Sequence, residues 1–273
     1  MSSVATVTTR SAPTEAQAGP RPAVVLRGVG KTFGRGSSEN VVMADVNLRV
    51  AAGEFLTVVG ASGCGKSTML NLIAGLDRPT TGEIELDGRV ALMFQDATLL
   101  PWLTARQNID LALRLRGVAE RRDEVDRLLA VVRLETVGDK RPHELSGGMR
   151  QRVALARCLA QDAQIVLMDE PLGALDAMTR DHLHDEIERV VTEEGLTVIF
   201  VTHNVREAVR LGDRVVLLGS HPGRVVFEQH VTLERPRRMD SPGVANRAAE
   251  LTEQLRTASG GHNPTGTDEE LPS

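Results

Sequence analysis

The feature that most constrains this chain is a short apolar run, Phe55 to Val59, that ends directly in Gly60-Ala61-Ser62-Gly63-Cys64-Gly65-Lys66-Ser67. The octet matches G-x-x-x-x-G-K-[ST], and Met69, Leu70, Leu72, Ile73 and Leu76 follow it at helical spacing. Strand, glycine-rich turn and helix in that order make a cradle for phosphate. Glycines let backbone N–H groups converge on phosphate oxygens, and the helix adds its positive N-terminus. In such a loop Lys66 reaches the β- and γ-phosphates, the Ser67 hydroxyl ligates Mg²⁺ and Thr68 offers a further donor. Cys64 fills a position open to any residue type, so it reads as a spacer and not as a nucleophile.

A second apolar run, Ile165 to Met168, ends in Asp169-Glu170. A carboxylate at the carboxyl end of a strand lies near the phosphate loop of a parallel sheet. Asp169 is placed to hold Mg²⁺ and Glu170 to polarise an attacking water. Taken alone, the pair reads equally well as a solvated acidic turn.

Strand and helix signals alternate around these motifs. Ala23 to Leu26, Val41 to Val50, Ile84 to Leu86 and Val90 to Phe94 are β-rich, and strands return at Thr197 to Val201, Val215 to Leu218 and Val225 to Val231. Between them, Ala105 to Leu134 is charged, helix-periodic and free of strand signals. The pattern predicts an α/β fold with a mostly parallel sheet, an antiparallel β piece beside it and an all-helical insertion over about residues 97 to 160. Residues 1–22 and 258–273 are small, polar and Pro- or Gly-bearing, and are expected to be disordered tails.

Composition narrows the function. No run approaches about 18 consecutive apolar residues, so no transmembrane helix is expected. The first 22 residues lack the apolar core of a secretory signal. Two cysteines exclude a disulfide scaffold and fit a reducing compartment. A net charge of -5 argues against a protein that coats nucleic acid.

The third motif is Leu145-Ser146-Gly147-Gly148-Met149-Arg150-Gln151-Arg152. Ser146 is suited to cap a helix, and Gly147 and Gly148 leave backbone N–H groups open to an anion. Together with the phosphate loop and the Asp-Glu strand, this octet resembles the signature of the ABC transporter ATPases, from about Ala23 to Thr257. The family's usual signature has Gln where Met149 stands.

The resemblance implies a P-loop NTPase (RecA-like) core that binds and hydrolyses ATP with Mg²⁺. It implies that Ser146, Gly147 and Gly148 of one copy close over the nucleotide held by the other, in a head-to-tail dimer. It matches Gln95 to the glutamine that contacts Mg²⁺ and water, His203 to the switch histidine at the γ-phosphate, and Asp176 to the dimer-contacting loop. Phe33 matches the aromatic that stacks on adenine, although a lone Phe is often core. No role is carried to Asn204, where Asp is commoner.

Finer segments resemble the nitrate, sulfonate and taurine import branch, and within it the ATPases of aliphatic sulfonate importers. These are Pro101-Trp102, Pro171 to Arg180 and Arg235-Pro236-Arg237-Arg238. The implied partners are membrane permease subunits and, indirectly, a solute-binding protein, at the cytoplasmic face of the membrane. Trp102 reads either as an anchor for the permease or as core of the insertion. The alternative function is a soluble ATPase of the same superfamily acting on ribosomes or DNA.

Overall fold

The computed structural model describes residues 21–34, 38–119, 121–173, 175–220 and 222–258. The two expected tails lie almost wholly outside these residues; Pro22, at the border of the first, already belongs to a strand.

Two sheets carry the fold. Strands β1 (Pro22–Phe33), β2 (Asn40–Ala51) and β4 (Thr81–Leu86) form an antiparallel sheet in the order β2-β1-β4. The larger sheet joins β3 (Phe55–Val59), β5 (Val90–Met93), β6 (Ile165–Asp169), β7 (Thr197–Thr202), β8 (Arg214–Gly219) and β9 (Arg224–His230). Its order is β5-β6-β7-β3-β8-β9, parallel except for the β8–β9 pair. Residues of β3, β7 and β8 are buried throughout, as expected of parallel strands covered on both faces. β9 alternates exposed with half-buried positions, as an antiparallel edge strand does.

Seven helices complete the described residues: α1 (Lys66–Ile73), α2 (Ala105–Arg116), α3 (Arg121–Val131), α4 (Gly147–Ala160), α5 (Ala177–Glu193), α6 (Val205–Leu211) and α7 (Pro242–Ala258). The helix-periodic stretch after residue 105 is two helices, because Gly117 ends α2 in the left-handed conformation at φ 82°. At its other end Thr104 and Gln107 close a capping box. α7 has no counterpart among the elements expected from sequence. Its buried face is Val244, Ala248 and Leu251, and it packs on α6 and β8 beside Val209 and Leu217.

The core has three parts. Ile109, Leu113, Leu128, Leu129 and Leu155 of the helical insertion join Met168 and Phe200 under one face of the large sheet. Val24, Leu26, Val46 and Val50 meet Leu56, Val58 and α1 between the two sheets. The third part lies under α6 and α7. This layering leaves the carboxyl ends of β3, β6 and β7 side by side, where α/β sheets bind ligands.

Candidate functional site

The phosphate loop follows β3 and opens α1. Gly65 caps α1 without a side chain, at φ 98°, so no side chain occupies the first-turn N–H groups of α1. At Gly60 any Cβ would come 2.6 Å from the Cys64 sulfur and from the Leu218 carbonyl oxygen, so only glycine lets the loop fold this tightly. Lys66 Nζ donates to the Gly60 carbonyl at 2.9 Å and to the Ala61 carbonyl at 3.1 Å. Ala61, Ser62, Gly63 and Ser67 are exposed and Thr68 is half-buried along the same curve. Cys64 is buried, and burial raises its thiol against the opposing pull of Lys66. Its part is packing, as its free place in the motif suggests.

Three elements bring polar groups to this loop. Asp169 ends β6 and is half-buried. Glu170 follows it with φ 45°, a left-handed conformation that a side-chain-bearing residue adopts only where its surroundings hold it there. The holding is visible: Glu170 N–H donates to the Val201 carbonyl at 3.0 Å, and Gly173 N–H to the Glu170 carbonyl at 3.0 Å. The turn aims the carboxylate at the loop. Its Oε1 lies 3.8 Å from Lys66 Nζ, and its Oε2 lies 2.8 Å from Nδ1 of His203, which follows β7. Gln95 completes the rim after β5. A Cβ at Gly173 would stand 3.1 Å from Gln95 Nε2, so the glutamine lies against the Glu170 turn.

Phe33 ends β1 opposite Asn40. Two residues on, the Val42 carbonyl approaches Gly65 so closely that a Cβ there would stand 3.3 Å away. The antiparallel sheet therefore carries Phe33 to the loop's side of the molecule. Its ring is partly exposed, with Lys31 Nζ 4.8 Å above it in a cation–π contact.

The signature residues lie elsewhere. Ser146 caps α4, its hydroxyl accepting from Met149 N–H at 3.2 Å. Gly147 and Gly148 press on the start of α5, where Cβ atoms would come 2.7 Å from Leu175 Cδ2 and Thr179 Cγ2. Asp176 is next to them and caps α5 through Thr179 N–H, which holds its carboxyl below the ordinary range. Within one copy, Ser146 and Gly148 line a hollow of about 570 Å³ with Thr179 and His182, apart from the Lys66–Glu170–His203 cluster.

Sequence reasoning missed two residues around the rim. Gln151, buried on α4, donates to the Gln95 carbonyl at 2.5 Å and so ties the signature helix to the rim. Asn204 caps α6 by accepting from Arg206 and Glu207 N–H. Asn accepts there as well as Asp does, which explains why the departure at 204 is harmless to the fold. Trp102 is 66% exposed, which overturns its reading as core of the insertion. A groove of about 580 Å³ runs between α2, α4 and the segment 98–100, lined by Leu100, Leu111, Ala112 and Leu115 together with Arg116 and Arg157; Trp102 does not line it.

Comparisons with known proteins give the family. The family model described as ABC transporter matches residues 43–173. An aliphatic sulfonates import ATP-binding protein, SsuB, of Bacillus licheniformis is 46% identical over 220 residues, which cover 78% of this chain and 86% of that one. The chain belongs to the ABC transporter ATPases. An SsuB protein of Burkholderia ambifaria is 46% identical across 92% of this chain and 76% of its own length. Among solved structures, a dimeric ATP-binding cassette, MJ0796, bound to ADP and Pi aligns with a TM-score of 0.68 at 35% identity, covering 77% of this chain and all of that one. The ABC ATPase fold is α/β with the nucleotide loop after β3, and the family's reaction is ATP hydrolysis.

Proposed function

We propose that this chain is the ATP-hydrolysing subunit that energises an importer of aliphatic sulfonates or related anions such as taurine and nitrate. The observation that carries the hydrolytic part is the Lys66–Glu170–His203 chain of contacts at the mouth of a phosphate loop. The solute class rests on the relatives, whose names are those of sulfonate importers, and on a nitrate import ATP-binding protein, NrtC, of Synechococcus elongatus. NrtC is 46% identical over 74% of this chain, which spans 33% of its length.

Residues Gly60 to Thr68 take the phosphates through backbone N–H groups, with Lys66 at the β- and γ-phosphates. Phe33 stacks on adenine. The oxygen donors fit Mg²⁺: the exposed Ser67 hydroxyl, the Asp169 carboxylate at the strand end and the Gln95 amide are hard ligands. One carboxylate with phosphate oxygens is how Mg²⁺ is usually held, and the described residues contain no all-protein metal cluster. Mg²⁺ supplies charge neutralisation on the phosphate oxygens. Glu170 orients and polarises the attacking water, while His203 holds Glu170 in place and faces the γ-phosphate.

Ser146, Gly147 and Gly148 of a second copy cover the nucleotide, with Asp176 holding the neighbouring turn. Two copies thus close on two ATP molecules. The exposed Trp102 meets a helix of the membrane permease, since a large aromatic at the surface is the anchor such an interface needs. The subunit works as a peripheral protein at the cytoplasmic face, a placement that rests on its likeness to importer ATP-binding proteins; no helix among the described residues is long and apolar enough to cross a membrane. A solute-binding protein delivers the anion to the permease from the other side.

The test is co-expression with a permease of the sulfonate import branch and uptake assays in vesicles with ATP inside. An alkanesulfonate, taurine or nitrate should enter only with an intact Lys66. Recovery of the chain with ribosomes or DNA, and without permease, would overturn the importer reading.

A further inference from the structure

Beneath the switch loop lies a buried charged cluster that hydrolysis as described leaves without a task. Glu207, in the first turn of α6, is 5% exposed. Its Oε2 accepts from the Thr202 hydroxyl at 2.7 Å, and that hydroxyl oxygen in turn accepts from Asn204 N–H at 3.0 Å. Thr202 and Asn204 bracket His203, so Glu207 grips the switch loop from below. Its other oxygen, Oε1, lies 3.6 Å from Arg180 Nε, an ion pair without a hydrogen bond.

Arg180, on α5, reaches in the opposite direction. One of its terminal nitrogens donates to the Leu175 carbonyl at 2.9 Å. Leu175 belongs to the turn after Glu170 and lies against Gly147, the first glycine of the signature. Contacts thus run without a gap from Gly147 through Leu175, Arg180, Glu207 and Thr202 to His203 and Glu170.

The surroundings leave Arg180 as the cation that answers Glu207. His184 is fully buried, and its Nε2 lies 3.8 Å from Glu207 Oε1, beyond hydrogen-bond reach. Burial, with Arg210 and Arg180 nearby, holds its pKa down to about 3, so it faces Glu207 as a neutral ring. Burial pushes the Glu207 carboxyl up, opposed by the Thr202 hydroxyl and Arg180. A carboxylate buried this way is held in one place by its partners, and removing the cation leaves its charge unanswered.

We propose that Arg180 and Glu207 are positioning residues that tie the turn beside the signature, at Leu175 and Asp176, to the switch loop, residues 202–204. His203 meets Glu170 in the hydrolytic geometry when Leu175 and Asp176 are in place. The inference rests on the reading of Glu170 and His203 as the hydrolytic pair. Since the signature of one copy covers the nucleotide of the other, the tie makes the switch of each copy sense the seating of its own signature on its partner.

The test measures kcat and KM for ATP in the full chain carrying Glu207→Gln, Arg180→Gln or both, with His203→Ala as reference and melting temperatures alongside. Glu207→Gln keeps an acceptor for Thr202 but sets an amide N–H2, a donor, against Arg180, so both the charge and the acceptor that face Arg180 are lost. Each single variant is expected to lower kcat about tenfold with KM changed by less than about twofold, and the double variant to fall no further than the weaker single one. Thr202→Val cuts the same path one step nearer His203, by removing the hydroxyl that donates to Glu207, and should give the same loss of kcat. Independent effects that multiply in the double variant would overturn the proposal. So would wild-type kcat in Glu207→Gln and Thr202→Val while His203→Ala is inactive. Full activity in His203→Ala would instead overturn the underlying reading of the site.

Discussion

Glu170 is held at φ 45° by its neighbours on β7 and in its own turn, and such a conformation costs of order 1–3 kcal/mol. That outlay makes sense at a residue whose aim matters. On the role proposed above, Glu170→Gln keeps size but loses the carboxylate that polarises water, so hydrolysis should fall roughly 10²- to 10⁴-fold while ATP affinity is retained. Single-turnover kinetics beside equilibrium nucleotide binding measure both. A second prediction concerns acid. His184 has a folded pKa of about 3 against an ordinary 6.5, so its neutral form stabilises the fold above pH 6.5. That stability is lost as pH falls from 6.5 toward 3, by about 2 kcal/mol at pH 5, because the unfolded chain takes up a proton that the folded chain refuses. His184→Leu should therefore lose less stability than wild type between pH 7.5 and pH 5 in denaturant titrations, and equal losses would contradict the assignment. At this scale the sequence was legible wherever chemistry demands fixed residue types at fixed spacing: Gly60 to Ser67, Asp169-Glu170 and Ser146 to Gly148. His203 and Gln95 needed the family resemblance. The Arg180–Glu207 contact was out of reach, because it depends on two helices meeting and neither spacing nor type announces it.

Elements show a similar division. β3, β6, β7 and β8 could be read as apolar runs because both faces of a parallel sheet are covered. α7 could not, since alanine and a preceding Pro- and Arg-rich stretch dilute its apolar stripe of Val244, Ala248 and Leu251. That stretch turns out to be structural. Arg237 is 5% exposed, and its guanidinium donates to the carbonyls of Val209, Gly212, Val231 and Leu233 at 2.5–3.1 Å. Two of those carbonyls, Val209 and Gly212, lie at the C-terminal end of α6, where a cation is favoured. Burial lowers the Arg237 pKa, but the carbonyl cage keeps the guanidinium bonded. Arg237→Ala strands several buried acceptors and should cost about 3 kcal/mol or more, read by urea unfolding. A loss under about 1 kcal/mol would show that water replaces the guanidinium there. Trp102 behaves oppositely. Being exposed, its change to Ala should leave the melting temperature of the isolated subunit in place but weaken permease binding by about 2 kcal/mol. Permease affinity unchanged in detergent would remove it from the interface.

Across the whole molecule, the decisive fact is separation. Lys66, Glu170 and His203 form one cluster, while Ser146, Gly147 and Gly148 sit with the start of α5 in another. Within one copy the two groups open on different surfaces, and on the reading proposed above a head-to-tail pair joins each to its complement. Isologous pairing of this kind repeats the same contact twice. The most direct measurement places cysteines at Ser62 and Ser146 in a Glu170→Gln chain, adds ATP and Mg²⁺, and oxidises the sample. The account predicts an ATP-dependent disulfide between two chains, seen as a doubled mass on a denaturing gel and lost when Lys66 is changed to Ala. A disulfide that forms within one chain, or one indifferent to ATP, would contradict it.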